Sequence, residues 1–563
     1  MRGLPTAEAN LAHLLRRHAQ ERPGAIAVKT PLSLGPSGEV AHAALTFREL
    51  DRRTDAAARL FRAAGIRPGA RVLLALRPGE QLLVGFHGLL KSGAVPVAID
   101  PGMGWRAALA CVERTRPEAL LGIRRACWLS RLPFGAFRNL RLRLDVESDE
   151  WARTLAAADS PLPGRIEAVD DDALAAIAFT SGSTGSPKGV RLTHGMLRAQ
   201  VDLVRRLYGM GPGDIDFPLL PAFSVLNPAL GQGTVAPRLD PARPAEADPA
   251  VLLRTMAREA VTTAFGSPTL WDLLVRAAEP RGIRLPSLRL ILTAGAPVPP
   301  GLLARLRRLA PNAAIHTPYG ATECLPVASI EAGEVLRETG DLARAGRGTC
   351  VGKPAPGVAI RILRPADGAI ARLEEAAACA AGEVGEVVVT GPTVTREYDG
   401  LPEATRLAKL VDAEGRTWHR MGDLGALDAQ GRLWFHGRRA ERVRDAAGEL
   451  TTESVEPAFA DHPKVRRCAL VGLGPAGRQS PTLVVEPRVF PGREIEAANL
   501  AAELRDHAGT NPLSTRVRAV VFQRALPVDR RHNAKVHRLA LARHWAARGE
   551  ARDGDRDGKG RWD

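Results

Sequence analysis

Residues 179–190 read Phe-Thr-Ser-Gly-Ser-Thr-Gly-Ser-Pro-Lys-Gly-Val. Hydroxyl residues (Thr180, Ser181, Ser183, Thr184), glycines (Gly182, Gly185, Gly189) and Lys188 crowd one short loop. Glycines let backbone N–H groups turn toward an anion, hydroxyls add donors and the lysine adds charge, so the loop suits a polyphosphate. The run from Ala173 to Phe179 is short and apolar and reads as a buried strand feeding the loop. This is not a Walker A loop: its spacing differs, Pro187 precedes the lysine, and Gly189 stands where Ser or Thr would follow. A flexible Ser/Gly linker does not fit either, because a lysine after proline and a flanking apolar strand are foreign to one.

Around the loop, strand-like and helix-like runs alternate. Leu11, Leu14, Leu15 and His18 recur at helical spacing and predict a helix over 8–20. Runs 25–28, 71–76 and 94–99 read as strands, and 81–91 as an apolar helix. This alternation argues for α/β layering. Segment 155–172 reads as a connection into the strand before the loop, and the Gly- and charge-rich segment 331–350 as a loop. A boundary near Gly437-Arg438 is expected to divide residues 1–436 from a smaller unit, 437–545. The polar tail 546–563 is expected to be disordered. Gly472-Leu-Gly-Pro-Ala-Gly477 satisfies a dinucleotide-binding pattern, but a strand-like run, 481–486, follows it instead of a helix, so it reads as a β-turn.

Composition narrows the classes. Hydrophobic residues make up 45% and charged residues 25% of 563, as in a globular protein. No apolar run reaches about 18 residues, so no transmembrane segment is expected. The first residues lack a signal-peptide core, and the six cysteines are scattered without a C-x-x-C pair. Both point to a reducing, cytoplasmic setting and away from zinc or a disulfide framework. The net charge of +16 comes with only 4% aromatics and no basic block, which argues against nucleic-acid binding.

Further motifs follow in order: Ala294-Gly-Ala-Pro297, Tyr319-Gly-Ala-Thr-Glu323, the Gly- and Val-rich run 382–392, Met421-Gly-Asp-Leu-Gly425, the run 431–438 and Asn533-Ala-Lys535. With the loop at 179–190 they resemble the adenylate-forming superfamily of acyl-CoA synthetases, luciferases and peptide-synthetase adenylation domains, over about residues 10–545. The resemblance implies an α/β protein: a large multi-sheet N-terminal AMP-binding domain and a small, mobile α+β C-terminal domain carrying the catalytic lysine. It also implies ATP and Mg²⁺ as cofactors, and offers attraction of ATP as the use of the positive charge.

By the same resemblance, Thr180, Ser181, Gly182, Ser183, Thr184, Gly185 and Lys188 would cradle the phosphates. Gly295 and Ala296 would lie on the adenine side, and Tyr319 with Gly320 would pack on adenine. Thr322 would contact phosphate and Glu323 would hold Mg²⁺. Asp423 would take the ribose hydroxyls, with Arg438 beside it. Lys535 would bridge the attacking carboxylate and the α-phosphate, and it joins Thr184, Lys188 and Glu323 as the expected catalytic set. The family's small domain rotates about a hinge after Arg438, whose usual acidic position is Ala440 here.

Two departures narrow the second half-reaction. Ser224 stands near the His position of acyl-CoA synthetases, and 217–239 has no Asp or Glu to hold an amino group. The segments 217–230, 240–244, 317–323, 418–423 and 527–535 are similar to those of the β-lactone synthetases of bacterial long-chain olefin biosynthesis. That likeness implies activation of a 2-alkyl-3-hydroxy fatty acid as its acyl-AMP, with ring closure by its own 3-hydroxyl. Fatty acyl-CoA or acyl-AMP ligation is the alternative. Phe223 and Trp271 are candidate pocket residues from 217–230 and 264–271. Hydrolase-like and reductase pathway partners are implied by the resemblance alone.

Overall fold

The computed structural model describes residues 5–36, 38–156, 164–180, 187–529 and 535–558. Short apolar runs such as Arg71–Ala75, Val95–Ile99 and Leu174–Thr180 have no alternation, which suits parallel strands covered on both faces. They join Leu142–Asp145, Ala119–Gly122 and Lys188–Thr193 in a six-stranded sheet. Val95–Ile99 and Leu174–Thr180 are adjacent and parallel, with Val97 beside Ile177 and Ile99 beside Phe179. Lys188–Thr193 then returns antiparallel along the edge.

The second large sheet has fourteen strands among the described residues and runs from Ala359–Leu363 at one end to Val40–Thr46 at the other. Near its middle, Thr417–Leu427, Leu433–Arg438, Thr349–Pro354, Cys324–Glu331 and Ala314–Ala321 are successive neighbours. Motifs about a hundred residues apart in sequence are therefore only a few strands apart in space. The helix Pro268–Ala278 covers one stretch of this sheet; Ser267 caps it and a proline starts it.

Trp271 of that helix is fully buried in a core with Phe217, Leu252, Leu274 and Ile291, and its indole N–H points at the Leu292 carbonyl. Trp271 is thus core, not pocket wall. Its apolar character had two explanations, and burial decides for packing. Phe223 is only half-buried, edge-on to Phe265 at 4.7 Å between ring centres.

Of segment 331–350, expected as a loop, Ala332–Arg347 forms helical turns that are broken at Gly346. Glu331 caps its first turn by accepting the Gly333 N–H, and Val335 and Leu336 pack on the core. Arg432 binds Glu334 and Glu338 at 3.1 and 3.0 Å. The glycines and charges masked this apolar face, and two of its charges, Glu334 and Glu338, have a partner far along the chain, just before the strand Leu433–Arg438.

From Val443 onward the chain builds separate sheets: a hairpin, Val443–Asp445 with Gly448–Leu450, and a four-stranded sheet begun by Val465–Leu473 and Ser480–Pro487. These two strands pair antiparallel from Leu473 to Ser480 outward, so Gly472–Gly477 leads into a hairpin connection, as expected, and no helix follows it. The tail differs from expectation. Arg556–Asp557 pairs in parallel with Phe522 and Gln523, and Asp553 binds Arg505 at 2.8 Å and accepts the Val520 N–H. Its polar residues read as disorder because their partners lie in other segments; residues 559–563 lie outside the described ones. Among the described residues, no helix is long and apolar enough to cross a membrane.

The C-terminal elements dock on the large sheet. Thr349 donates its hydroxyl to Glu453 at 2.6 Å, and Arg344 reaches Asp461 at 3.1 Å. Gly346, at φ +95°, lies where an added Cβ would stand 2.8 Å from Asn511 Oδ1.

Candidate active site

Strand pairing carries much of the site. Thr180 and Lys188 are register partners, so the edge hairpin fixes where Lys188 begins. Ser181, Gly182, Ser183, Thr184 and Gly185 lie outside the described residues. A bridge between Val190 and Tyr398, with the Asp399 N–H donating to the Gly189 carbonyl at 2.8 Å, draws segment 395–399 alongside. The Lys188 ammonium sits 4.8 Å from the centre of the Tyr398 ring.

Thr322 and Glu323 form the tip of a tight hairpin, because Ala314–Ala321 and Cys324–Glu331 pair up to Ala321 and Cys324. Gly320 permits this turn: an added Cβ would meet the Cys324 carbonyl oxygen at 2.6 Å. Tyr398 donates its hydroxyl to Glu323 Oε1 at 2.7 Å, and the Thr395 N–H donates to the Glu323 carbonyl at 2.9 Å. Gly295 and Ala296 follow the strand Leu290–Thr293, Gly295 exposed and Ala296 half-buried.

Asp423 and Arg438 are cross-strand partners, so pairing of Thr417–Leu427 with Leu433–Arg438 sets carboxylate against guanidinium at 2.9 Å. Tyr319 donates to Asp423 Oδ2 at 2.5 Å. Of the chain's three tyrosines, two therefore hold the two site carboxylates. Burial raises the Asp423 carboxyl against the pull of Arg438, and Asp423 in turn raises the Arg438 guanidinium.

Lys535 comes from the C-terminal part. Its N–H donates to Asp529 Oδ1 at 2.9 Å and its carbonyl accepts the Asp529 N–H. Burial, then the charge of Arg438, pushes its ammonium down to about 8, while Glu441 and Asp423 oppose the shift. The fold thus brings Tyr319, Asp423, Arg438 and Lys535 into one neighbourhood, and Lys188 and Glu323 into another, joined through Tyr398.

The donor set fits a magnesium nucleotide. Asp423 Oδ1 is buried and, among the described residues, has no hydrogen-bond donor, an acceptor suited to a ribose hydroxyl. Glu323 is a single carboxylate, and Mg²⁺ commonly takes one or two carboxylates together with substrate phosphates. Among the described residues no group of three His, Cys, Asp or Glu forms an all-protein metal cage.

Sequence reasoning missed Tyr398, Lys409 and His419. Lys409 is buried and donates to the Thr395 carbonyl and hydroxyl; burial pushes it down to about 8. His419 is buried too, held well below its ordinary range by burial and by Lys409. The rarity of tyrosine was the one signal that pointed to Tyr398.

Residues 15–399 match the family model described as "AMP-binding enzyme". The chain belongs to the AMP-binding enzyme family. It is 43% identical to an olefin beta-lactone synthetase of Xanthomonas campestris pv. campestris over 97% of this chain and 99% of that protein. It is 41% identical to the olefin beta-lactone synthetase of Stenotrophomonas maltophilia over 96% and 98%. In fold it is similar to ATP-bound MatB from Rhodopseudomonas palustris, with a TM-score of 0.75 at 21% identity over 96% of this chain and all of that one.

Proposed function

We propose that this chain is an ATP-dependent β-lactone synthetase, converting a 2-alkyl-3-hydroxy fatty acid through its acyl-AMP to a β-lactone with release of AMP and pyrophosphate. The observation that carries this reading is the end-to-end likeness to two olefin beta-lactone synthetases. The site agrees with an uncharged acyl chain. Asp216, the acid nearest segment 217–230, is buried and bonded to Asn227 and Thr263, so it does not offer itself to a substrate ammonium.

In this reading Asp423 Oδ1 accepts from the ribose, and Arg438 keeps that carboxylate ionised. Mg²⁺, when bound, would draw charge from the phosphates as pyrophosphate leaves. Glu323 would hold it, with Lys188, Thr180, Ser181, Ser183 and Thr184 on the phosphate side and Thr322 beside them. Lys535 orients the incoming carboxylate and lowers the repulsion between two anions. Ring closure needs no thiol, because the nucleophile is already on the acyl chain.

We assign the moving parts to residues 1–436 and 437–545, turning about the segment that contains Ala440. The cytoplasm is the proposed location, and hydrolase-like and reductase enzymes are the proposed pathway partners. The deciding experiment supplies Mg-ATP and a synthetic 2-alkyl-3-hydroxy fatty acid without CoA and reads the products by NMR. Lactone ring protons with AMP are expected. Thioester formed only after CoA is added would return the chain to ordinary acyl ligation.

A further inference from the structure

Lys409 begins a short strand, Lys409–Val411, and pairs with His419 of the strand Thr417–Leu427. Its side chain runs inward and is buried. A buried ammonium is costly unless its charge is used. Among the described residues no carboxylate forms an ion pair with it; its hydrogen bonds go to the Thr395 carbonyl and, at 3.1 Å, to the Thr395 hydroxyl. The ammonium also lies 5.9 Å from the centre of the Tyr398 ring, which Lys188 approaches to 4.8 Å. Thr395 and Tyr398 both hold Glu323, Thr395 at its carbonyl and Tyr398 at its carboxylate.

We infer that Lys409 is a positioning residue for the phosphate end of the site: it fixes segment 395–398, and through it the Glu323 carboxylate, while adding a cation behind Lys188. This rests on the reading that Lys188 and Glu323 face the phosphates. The charged and titratable groups that act on Lys409 come from several elements. Glu323 of the hairpin favours its charge, Lys188 of the edge strand opposes it, and Cys324 beside Glu323, its thiol pushed up to about 11 by burial, stays neutral where Lys409 titrates. His419, on the partner strand, is held neutral by burial and by Lys409 itself. Lys409 is therefore charged below about pH 8 and neutral above it, whereas an arginine there would stay charged.

The test measures KM for ATP and for the acid across pH 6.5–9.5 in the wild type and in Lys409→Met, Lys409→Arg, Tyr398→Phe and Lys188→Ala. Lys409→Met is expected to raise KM for ATP about tenfold, as loss of a charge-assisted contact does, with KM for the acid nearly unchanged. The wild type should lose ATP affinity as pH rises through about 8. Lys409→Met should reduce that fall to the share set by Lys535, and Lys409→Arg should carry the Lys409 share to higher pH. If Lys409→Met does not fold, Lys409→Arg and Tyr398→Phe decide, the latter by a rise in KM for ATP at unchanged melting temperature. If Lys188→Ala weakens ATP binding while the Lys409 and Tyr398 variants keep the wild-type KM and pH profile, the inference fails and the phosphate-side reading stands. A fall that persists unchanged in Lys409→Met belongs to Lys535 and also overturns it. If Lys188→Ala leaves KM for ATP unchanged, the phosphate-side reading fails, and the inference with it.

Discussion

Asp423 and Arg438 face each other across two antiparallel strands at 2.9 Å, yet the contact is an ion pair without an aligned hydrogen bond. Arg438 directs Nη1 to the Met421 carbonyl at 3.1 Å, and Asp423 Oδ1 is left with no hydrogen-bond donor among the described residues. The guanidinium supplies charge, and the lone pair stays available.

That geometry predicts the behaviour of Asp423→Asn, which keeps the shape and removes the charge. ATP binding measured by calorimetry should weaken by about 10- to 100-fold, the range for a hydrogen bond to a charged group. The melting temperature should also fall, because Arg438 loses its counter-charge. Unchanged ATP affinity would remove Asp423 from the nucleotide site.

Lys535 sets a pH dependence. Its folded-state pKa, about 8, lies below the ordinary lysine value of 10.5, so it is charged below pH 8 and neutral above. Pyrophosphate release in a single turnover should therefore slow as pH rises through about 8. Lys535→Arg should move that decline upward, and Lys535→Ala should be slow at every pH. A wild-type rate that is flat from pH 7 to 9.5 contradicts the assignment.

Much of this site was legible because short motifs sit on local turns. The Thr322-Glu323 hairpin tip and the Thr180–Lys188 edge hairpin are each built by residues close in sequence. Tyr398 and Lys409 were not legible. They act on Glu323 from about eighty residues away, through strand neighbours that no local pattern encodes. The tail failed for the same reason: Asp553 looks solvated until Arg505 is placed beside it.

Glu453 links docking of the C-terminal part to pH. Burial, then the neighbouring Glu456, raises it to about 7, while Thr349 donates to it at 2.6 Å. The sign follows from a folded pKa above the unfolded value of 4.5. Stability from this group is fully present below about pH 4.5 and is lost as pH rises through 7, up to about 3 kcal/mol in all. Glu453→Gln should remove that loss. Its melting temperature relative to the wild type should rise between pH 5 and pH 8, and a constant difference would rule the linkage out.

Phe223 and Trp271, both candidates for the acyl pocket, differ in burial. Trp271 is fully buried and packs in a large apolar cluster, so Trp271→Ala should cost about 3–5 kcal/mol by urea denaturation, whatever substrate is offered. Phe223 is half-buried in the acid-free segment 217–230 and touches Phe265 edge-on at 4.7 Å. Phe223→Ala should cost much less stability and should shift the preferred acyl length, read as kcat/KM over a series of 3-hydroxy acids. Each methylene accommodated or lost in an apolar pocket is worth about 1 kcal/mol, so a shift of several-fold per carbon is the expected scale. A length profile that matches the wild type would place the acyl chain elsewhere, because a wall residue cannot be halved in size without changing what fits against it.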